Sequence, residues 1–327
     1  MKRFTLWMSG ATVGALALSG CVADVPAPVT SAPPMTEATA LLEAQSAAVI
    51  DHTLEELAAA DAARDEDLLG ERVGGDFKTL RGIEYVLAEE EDGPSLTEIP
   101  AERQAVYVSG ANTWPRTLVA VTEQADDDST PVVLMWVQES IDDEYQLRNW
   151  AHMIPGATLP AMPGTLTGAE QFHITTDVLD PSPEQALSDY ATLLEEGADS
   201  DLNEAFGEDS YRERLFKARE TLTEAAKDAD GEYEDTIKVD FEAAYSMGTA
   251  EGGVLVFAPL QASSTFTVED AKVSIPDEDE PLLEGDLKDT VTHEHLDFIV
   301  MYIPGPDEDG LPTVVAAEHT LIKVLDS

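Results

Sequence analysis

The sequence predicts an α+β protein of two tandem domains, each a set of helices followed by a curved antiparallel sheet. Three observations carry that expectation. Apolar residues recur first at helical spacing and then in short alternating runs, and this order occurs twice along the chain. A proline- and glycine-rich stretch, residues 155–176, separates the two occurrences and reads as a linker. Apolar residues make up 43% of the chain and there is a single cysteine, so the cores must be built by apolar burial without disulfides.

The first domain is expected over residues 36–154. Thr36 can cap a helix and Glu37 suits its first turn. Leu42, Val49 and Leu57 then follow at near-helical spacing, and residues 61–72 read as a second short helix ended by Gly74-Gly75. From Ile83 the pattern alternates, with Ile83, Tyr85 and Leu87 set against Glu84, Val86 and Ala88, which reads as strand. Further strands are expected at 104–110, 116–123, 131–138 and 145–154, with Asp126-Asp127-Asp128 as a solvated turn. The second domain, 177–327, opens on Ser182-Pro183-Glu184-Gln185: a capping serine, proline at the first helical position, and a glutamine placed to close a capping box. Leu187, Tyr190, Ala191 and Leu194 form the buried stripe of that helix, and Gly197 ends it. A helix over 210–228 turns Tyr211, Leu215 and Leu222 inward. Strands are expected at 233–246, 253–268, 290–303 and 312–325, with an acidic loop over 276–286.

The amino terminus has a different character. Met1-Lys2-Arg3 is basic, and residues 4–20 carry no charge. That stretch is short for a membrane span, which needs about 20 apolar residues, and fits a signal peptide. It closes on Leu18-Ser19-Gly20-Cys21, an apolar residue and two small ones before a cysteine. The resemblance to bacterial lipoprotein signals implies cleavage before Cys21 and diacylglycerol on its sulfur. Two acyl chains anchor stably where one does not. Residues 21–35 then read as the acylated cysteine and a tether, in which Pro26, Pro28, Pro33 and Pro34 exclude helix and sheet. The expected location is the extracytoplasmic face of a cell membrane.

Charge narrows the partners. The chain has 66 acidic and 18 basic residues, a formal net charge of −48. Nucleic acid is excluded as a partner, because its binding depends on Lys and Arg neutralising phosphate. A body lying flat on anionic lipid is excluded for the same reason, so the membrane contact is expected through Cys21 alone. No cofactor is expected, and an envelope protein or a small ligand is the expected partner class.

Few residues suggest chemistry. Close pairs of carboxylates are unavoidable at this composition and identify no general acid or base. Trp114 and Arg116 flank a proline at the start of a strand. They read either as a core tryptophan with a salt-bridged arginine, or as a contact for a ligand or partner. His293 and His295 share one face of a strand by its two-residue period, and His319 lies on the next strand. A symmetric turn would place His295 opposite Thr320 and put His319 on the other face, whereas a one-residue shift reverses that. Zinc needs three or four converging ligands, so His293, His295 and His319 form a candidate metal site only in the shifted register. Asp228-Ala229-Asp230-Gly231 and Asp307-Glu308-Asp309-Gly310 look like calcium loops in part, but Ala226 or Gly305 would open the loop and Ile237 or Ala316 would close it.

The run from Asn112 through Trp114-Pro115-Arg116 to Glu123 carries a family likeness, as do Leu80-Arg81 with Glu84-Tyr85 and the Pro155–Pro160 run. With the lipobox, these resemble a family of actinobacterial secreted lipoproteins whose domain has no assigned function. The resemblance implies an outward-facing protein of a Gram-positive envelope and transfers no site residues. By analogy, helices over a curved sheet resemble the NTF2-like, or cystatin-like, arrangement. The expected function is a non-enzymatic binding or scaffolding role at the cell surface; the alternative is a metal-assisted hydrolase around His293, His295 and His319. Cys21→Ser is expected to release the protein into the medium or trap the precursor, and unchanged membrane fractionation of that variant would refute the anchor.

Overall fold

A computed structural model describes residues 38–126, 129–268 and 272–326. The leader, Cys21, the tether and Thr36 lie outside the described residues. In chain order the elements are α1 (Glu43–Ala63), α2 (Gly75–Ala88), β1 (Arg103–Val108), β2 (Arg116–Thr122), β3 (Val132–Gln138) and β4 (Gln146–Met153), followed by α3 (Pro183–Glu196), α4 (Ser210–Asp228), β5 (Glu232–Val239), β6 (Tyr245–Gly248), β7 (Val254–Thr267), β8 (Leu283–Glu284), β9 (Thr290–Ile303) and β10 (Thr313–Asp326). Helices followed by an antiparallel meander thus occur twice.

The two meanders do not form separate sheets. They join edge to edge in the order β1-β2-β3-β4-β10-β9-β7-β5, with the last strand of each half meeting at the centre. The joint is short: Ala316 pairs with Met153 and Ala317 with His152. Residues from Thr36 onward form one compact unit, so the expected domains 36–154 and 177–327 are two halves of one body. The expected linker is stitched to both halves. Gly110 N–H donates to Ala169, and Gly248 N–H to Glu170. At Gly168 a side chain would meet the Gly110 backbone at 2.5 Å, so only glycine permits this approach.

Alternation along the strands explains why both faces are buried. In the first half Leu118, Ala120, Leu134 and Trp136 face α1 and α2, where they meet Ile50, Leu57, Phe77 and Leu80. In the second half Val256, Leu260, Ile299 and Met301 face α3 and α4, against Leu187, Tyr190, Leu194 and Tyr211. The opposite faces meet each other: Val119, Met135 and Val137 share one cluster with Leu255, Phe257, Phe298 and Val300. This double burial is why β3 reads as the unbroken apolar run VVLMWV. Pro259 sits inside β7, yet it removes no needed donor. Its carbonyl faces Asp240, where the edge strand is interrupted between β5 and β6.

Sequence and structure part at residues 83–88, which are helix, not strand. Phe77, Leu80, Arg81, Tyr85 and Ala88 are buried at helical spacing along α2, and this periodicity overrides the short alternation from Ile83. The expected helix over 61–72 is instead the end of α1 and a 3-10 turn at Glu66–Leu68. At α3 the Ser182 hydroxyl accepts from Gln185 N–H as expected, but the Gln185 side chain turns outward to Asp189 and leaves the box half closed. The residues that carried the family likeness on α2 are a buried polar clamp. Arg81, 4% exposed, holds both oxygens of Asp61 at 2.8 and 2.5 Å, Glu84 at 2.5 Å and the Thr97 carbonyl at 2.9 Å. The Tyr85 hydroxyl donates to the same Asp61. Removing one member of a buried ion pair strands the other charge, so Arg81→Met should destabilise the fold by about 3–5 kcal/mol, measured by urea denaturation.

Candidate functional site

Register in the β9–β10 hairpin decides which side chains meet. Thr313 and Val314 pair with Tyr302 and Met301, but Ala316 pairs with Val300. One residue, Val315, is extra on β10: a β-bulge. Its mark is visible in burial, since Val314 and Ala317 face the α3/α4 side while Val315 and Ala316 together face the other. Beyond the bulge His319 pairs with Asp297, and Leu321 with His295. The symmetric-turn expectation of His295 opposite Thr320 is therefore off by one residue. The extra residue turns His319 to the same face as Asp297 and His295, under α4.

Asp297 is the centre of the group. It is 2% exposed. One carboxylate oxygen accepts from the Tyr211 hydroxyl on α4 at 2.5 Å, and the other meets Nδ1 of His319 at 2.7 Å. With both oxygens acting as acceptors, the His319 proton sits on Nδ1. The His295 ring stacks on His319, with centroids 4.2 Å apart and planes 12° from parallel. A second buried group supports α4 from its start: Asp209 caps the helix through Arg212 N–H at 2.8 Å and accepts from Tyr190 at 3.0 Å.

Environment drives the two stacked imidazoles in opposite directions. Burial works against a charge on His319, but the neighbouring Asp297 carboxylate, with Glu318, outweighs it and raises the pKa above the ordinary 6.5. Burial also disfavours a charge on His295, and there the positive charges of His319 and His293 add to it, so the pKa falls to about 3. Burial lowers His293 too, against the pull of Asp279 at 3.9 Å. At neutral pH a charge-stabilised imidazole is thus stacked on a neutral one.

His319 opens into a cleft of about 590 Å³, within the range of small-molecule sites. Met153, Ile154, Leu215 and Ala317 give it apolar walls, and Arg214, Ser210 and Thr130 give it polar ones. The His152–Glu318 pair, 3.0 Å apart, lies at its edge. A narrower cavity of about 160 Å³ continues on the far side of His319, past His295 toward Asp235. Elsewhere, a cavity of about 260 Å³ between the start of α1 and β1 has one cation in its lining, Arg103, already bridged to Asp51 at 2.8 Å.

The histidines meet, but not as metal ligands. Imidazole lone pairs lie in the ring plane, so two nearly parallel stacked rings do not aim at one point, and Nδ1 of His319 is committed to Asp297. Among the described residues no group of three His, Cys, Asp or Glu side chains is placed to hold a metal ion, which removes the geometry of a metal site at His293, His295 and His319. The two calcium-like loops are turns. Asp230 takes a positive φ after α4, and the Glu308 carboxylate accepts from Tyr302 and Gly305 within its own hairpin. Trp114 is 38% exposed, not core, and its ring is covered by the Arg116 guanidinium at 4.1 Å. Arg116 donates to the Ala111 carbonyl at 2.7 Å and makes no ion pair among the described residues. Sequence reading missed Asp297, although 293, 295 and 297 share one face and an aspartate in so apolar a strand is itself a signal. Arg214 gave no signal.

Fold and site define an α+β protein of one continuous, mainly antiparallel sheet, helices over each half, and a cleft with a buried Asp–His pair at its wall. The family model for a domain of unknown function (DUF8094) matches residues 37–322, and the chain belongs to that family. No curated protein and no solved structure matches it.

Linkage gives the histidine pair a stability signature. His319 binds a proton in the folded state where the unfolded chain has lost it, so its contribution is full below about 6.5 and is lost as pH rises through its raised pKa. His295 stays neutral while the unfolded chain is protonated, so stability is lost as pH falls from 6.5 toward 3. Stability from this pair should peak near 6.5. NMR titration of the histidines should show His319 titrating above 6.5 and His295 neutral to about 3, and Asp297→Asn should lower the His319 value.

Proposed function

We propose that this protein is a lipid-anchored protein of the extracytoplasmic face of an actinobacterial envelope, whose folded body binds a ligand or partner in the cleft beside His319 and does not act as an enzyme. The anchor rests on Leu18-Ser19-Gly20-Cys21 behind an uncharged leader, and the proline-rich 22–35 segment would hold the body off the bilayer. Among the described residues no helix is long and apolar enough to cross a membrane.

The observation that carries the binding role is the cleft itself: apolar walls with a few fixed polar groups. Asp297 and Tyr211 hold the His319 ring by a short chain of hydrogen bonds on rigid elements. That arrangement suits recognition, since a preordered polar group loses little freedom on binding. A scaffolding role is the second form of the same reading, with the exposed Trp114, stacked on a half-buried Arg116, as its contact.

A photo-crosslinking residue placed at Ser129, on the cleft rim, should capture an envelope component on intact cells, and His319→Gln should reduce that yield. Equal yields with and without His319 would sink the cleft as the binding site. Turnover of ester, peptide or phosphoester substrates by the purified protein, lost in His319→Gln, would overturn the non-enzymatic part.

A further inference from the structure

We propose that the cleft binds a small molecule bearing an oxyanion, a carboxylate or phosphate group on an apolar body, held between His319 and Arg214. This rests on the binding reading above and names its ligand class.

Charge makes the location unusual. The chain has 66 acids to 18 bases, and its other arginines of the second half are engaged: Arg212 with Asp209, and Arg219 with Asp235. Arg214 lines the cleft from α4, close enough for its charge to act on His319, and its guanidinium makes no hydrogen bond or ion pair among the described residues. His319 lines the same cleft from β10 with Nδ1 bound to Asp297, and some 30% of its side chain is exposed. The Arg214 guanidinium and the outer edge of the His319 ring, whose inner edge is held by the Asp297 carboxylate, therefore share one partly enclosed space in an otherwise acidic molecule. Glu318 on the lining is engaged with His152 at 3.0 Å and Asp297 holds the inner edge of the His319 ring, so the Arg214 guanidinium is the charge in the cleft without a counter-ion contact among the described residues.

The chemistry of the donors selects the ligand. A guanidinium offers a planar fork that matches carboxylate and phosphate oxygens, and charge-assisted hydrogen bonds are about twice as strong as neutral ones. Ser210 and Thr130 add hydroxyls to the lining, and Ser210 lies in the first turn of a 19-residue helix whose dipole favours anions there. Met153, Ile154 and Leu215 supply apolar wall for the rest of the molecule. The acidic surface opposes approach at a distance, but beyond about 8 Å that repulsion is screened at physiological salt, while contacts inside the cleft are screened far less.

Proton binding ties affinity to pH. The charged and titratable groups facing His319 are Asp297 and His295 from β9, Glu318 beside it on β10, His152 from β4, and Tyr211 and Arg214 from α4. His295 stays neutral above about 3, so the anion's cationic partners are His319 and Arg214. Affinity should fall as pH rises through the His319 pKa and level off where Arg214 alone remains.

The test is calorimetric titration of the full chain in detergent, at mildly acidic pH, with benzoate, phenyl phosphate and neutral benzamide. Benzoate or phenyl phosphate should bind, benzamide should bind about tenfold more weakly or not at all, and the two anions report which oxyanion is preferred. Arg214→Gln, at an exposed position that leaves the core intact, should lower anion affinity about tenfold. His319→Gln should do the same, its fold checked by circular dichroism because Asp297 loses a donor. Lys217→Gln, exposed on the same helix outside the cleft lining, should change nothing. No anion binding, or full affinity in Arg214→Gln, overturns the proposal. Benzamide binding as tightly as benzoate also overturns it while leaving a neutral-ligand cleft in place, and the crosslinking experiment decides that broader reading by itself.

Discussion

One surplus residue in β10 sets the geometry on which the site and the union of the two halves both depend. At Val315 the strand leaves the even ladder with β9. The Val315 carbonyl accepts from Ile154 N–H at 2.9 Å, and the next two residues, both alanine, pair with the end of β4. The bulge therefore lies where the second meander meets the first. The same surplus advances His319 by one position, which in a structure of period two means a change of face. Without it, Asp297 would stand opposite Glu318 instead of His319 and would lack one of its two donors, a costly arrangement for a buried carboxylate.

Apolar burial carries the fold, with no disulfide to help. Each half of the sheet is covered by helices on one face and by the other half on its second face. Charge is kept out of this core except in groups that satisfy themselves. Arg81 with Asp61, Glu84 and Tyr85 joins α1 to α2; Asp209 with Tyr190 and Arg212 joins α3 to α4; Asp297 with Tyr211 and His319 joins α4 to the sheet. In each, a carboxylate that would be expensive to bury alone accepts from at least two donors. The first two groups fasten helices. The third faces a cleft, and this separates a structural network from a candidate site. Two imidazoles in stacking contact have their pKa values driven apart, one raised by a carboxylate against its burial and the other lowered by burial and then by its histidine neighbours, a pattern that marks functional sites more often than packing alone would.

Much of the architecture was legible in the sequence because it rests on local periodicity. The strands β1 to β4, the boundaries of α4 and the Ser182 cap of α3 follow from alternation, helical spacing and capping chemistry. Residues 83–88 were not legible, since six residues fit both periods and only the packing of Phe77, Leu80 and Tyr85 against the sheet chooses helix. Trp114 was not legible either. Tryptophan is normally an anchor of a core, and its exposure under Arg116 depends on the turn that presents it.

The sequence by itself determined composition, charge, the twofold succession of helices and strands, and the uncharged run ending in Leu18-Ser19-Gly20-Cys21 that precedes them. Tertiary structure alone decided that the two meanders join as one sheet and that His319 stands on Asp297. Those outcomes turn on pairing between residues far apart in the chain and on a one-residue offset at Val315. Neither leaves a trace in local periodicity, because a bulge costs the strand nothing in composition and acquires meaning only against its partner.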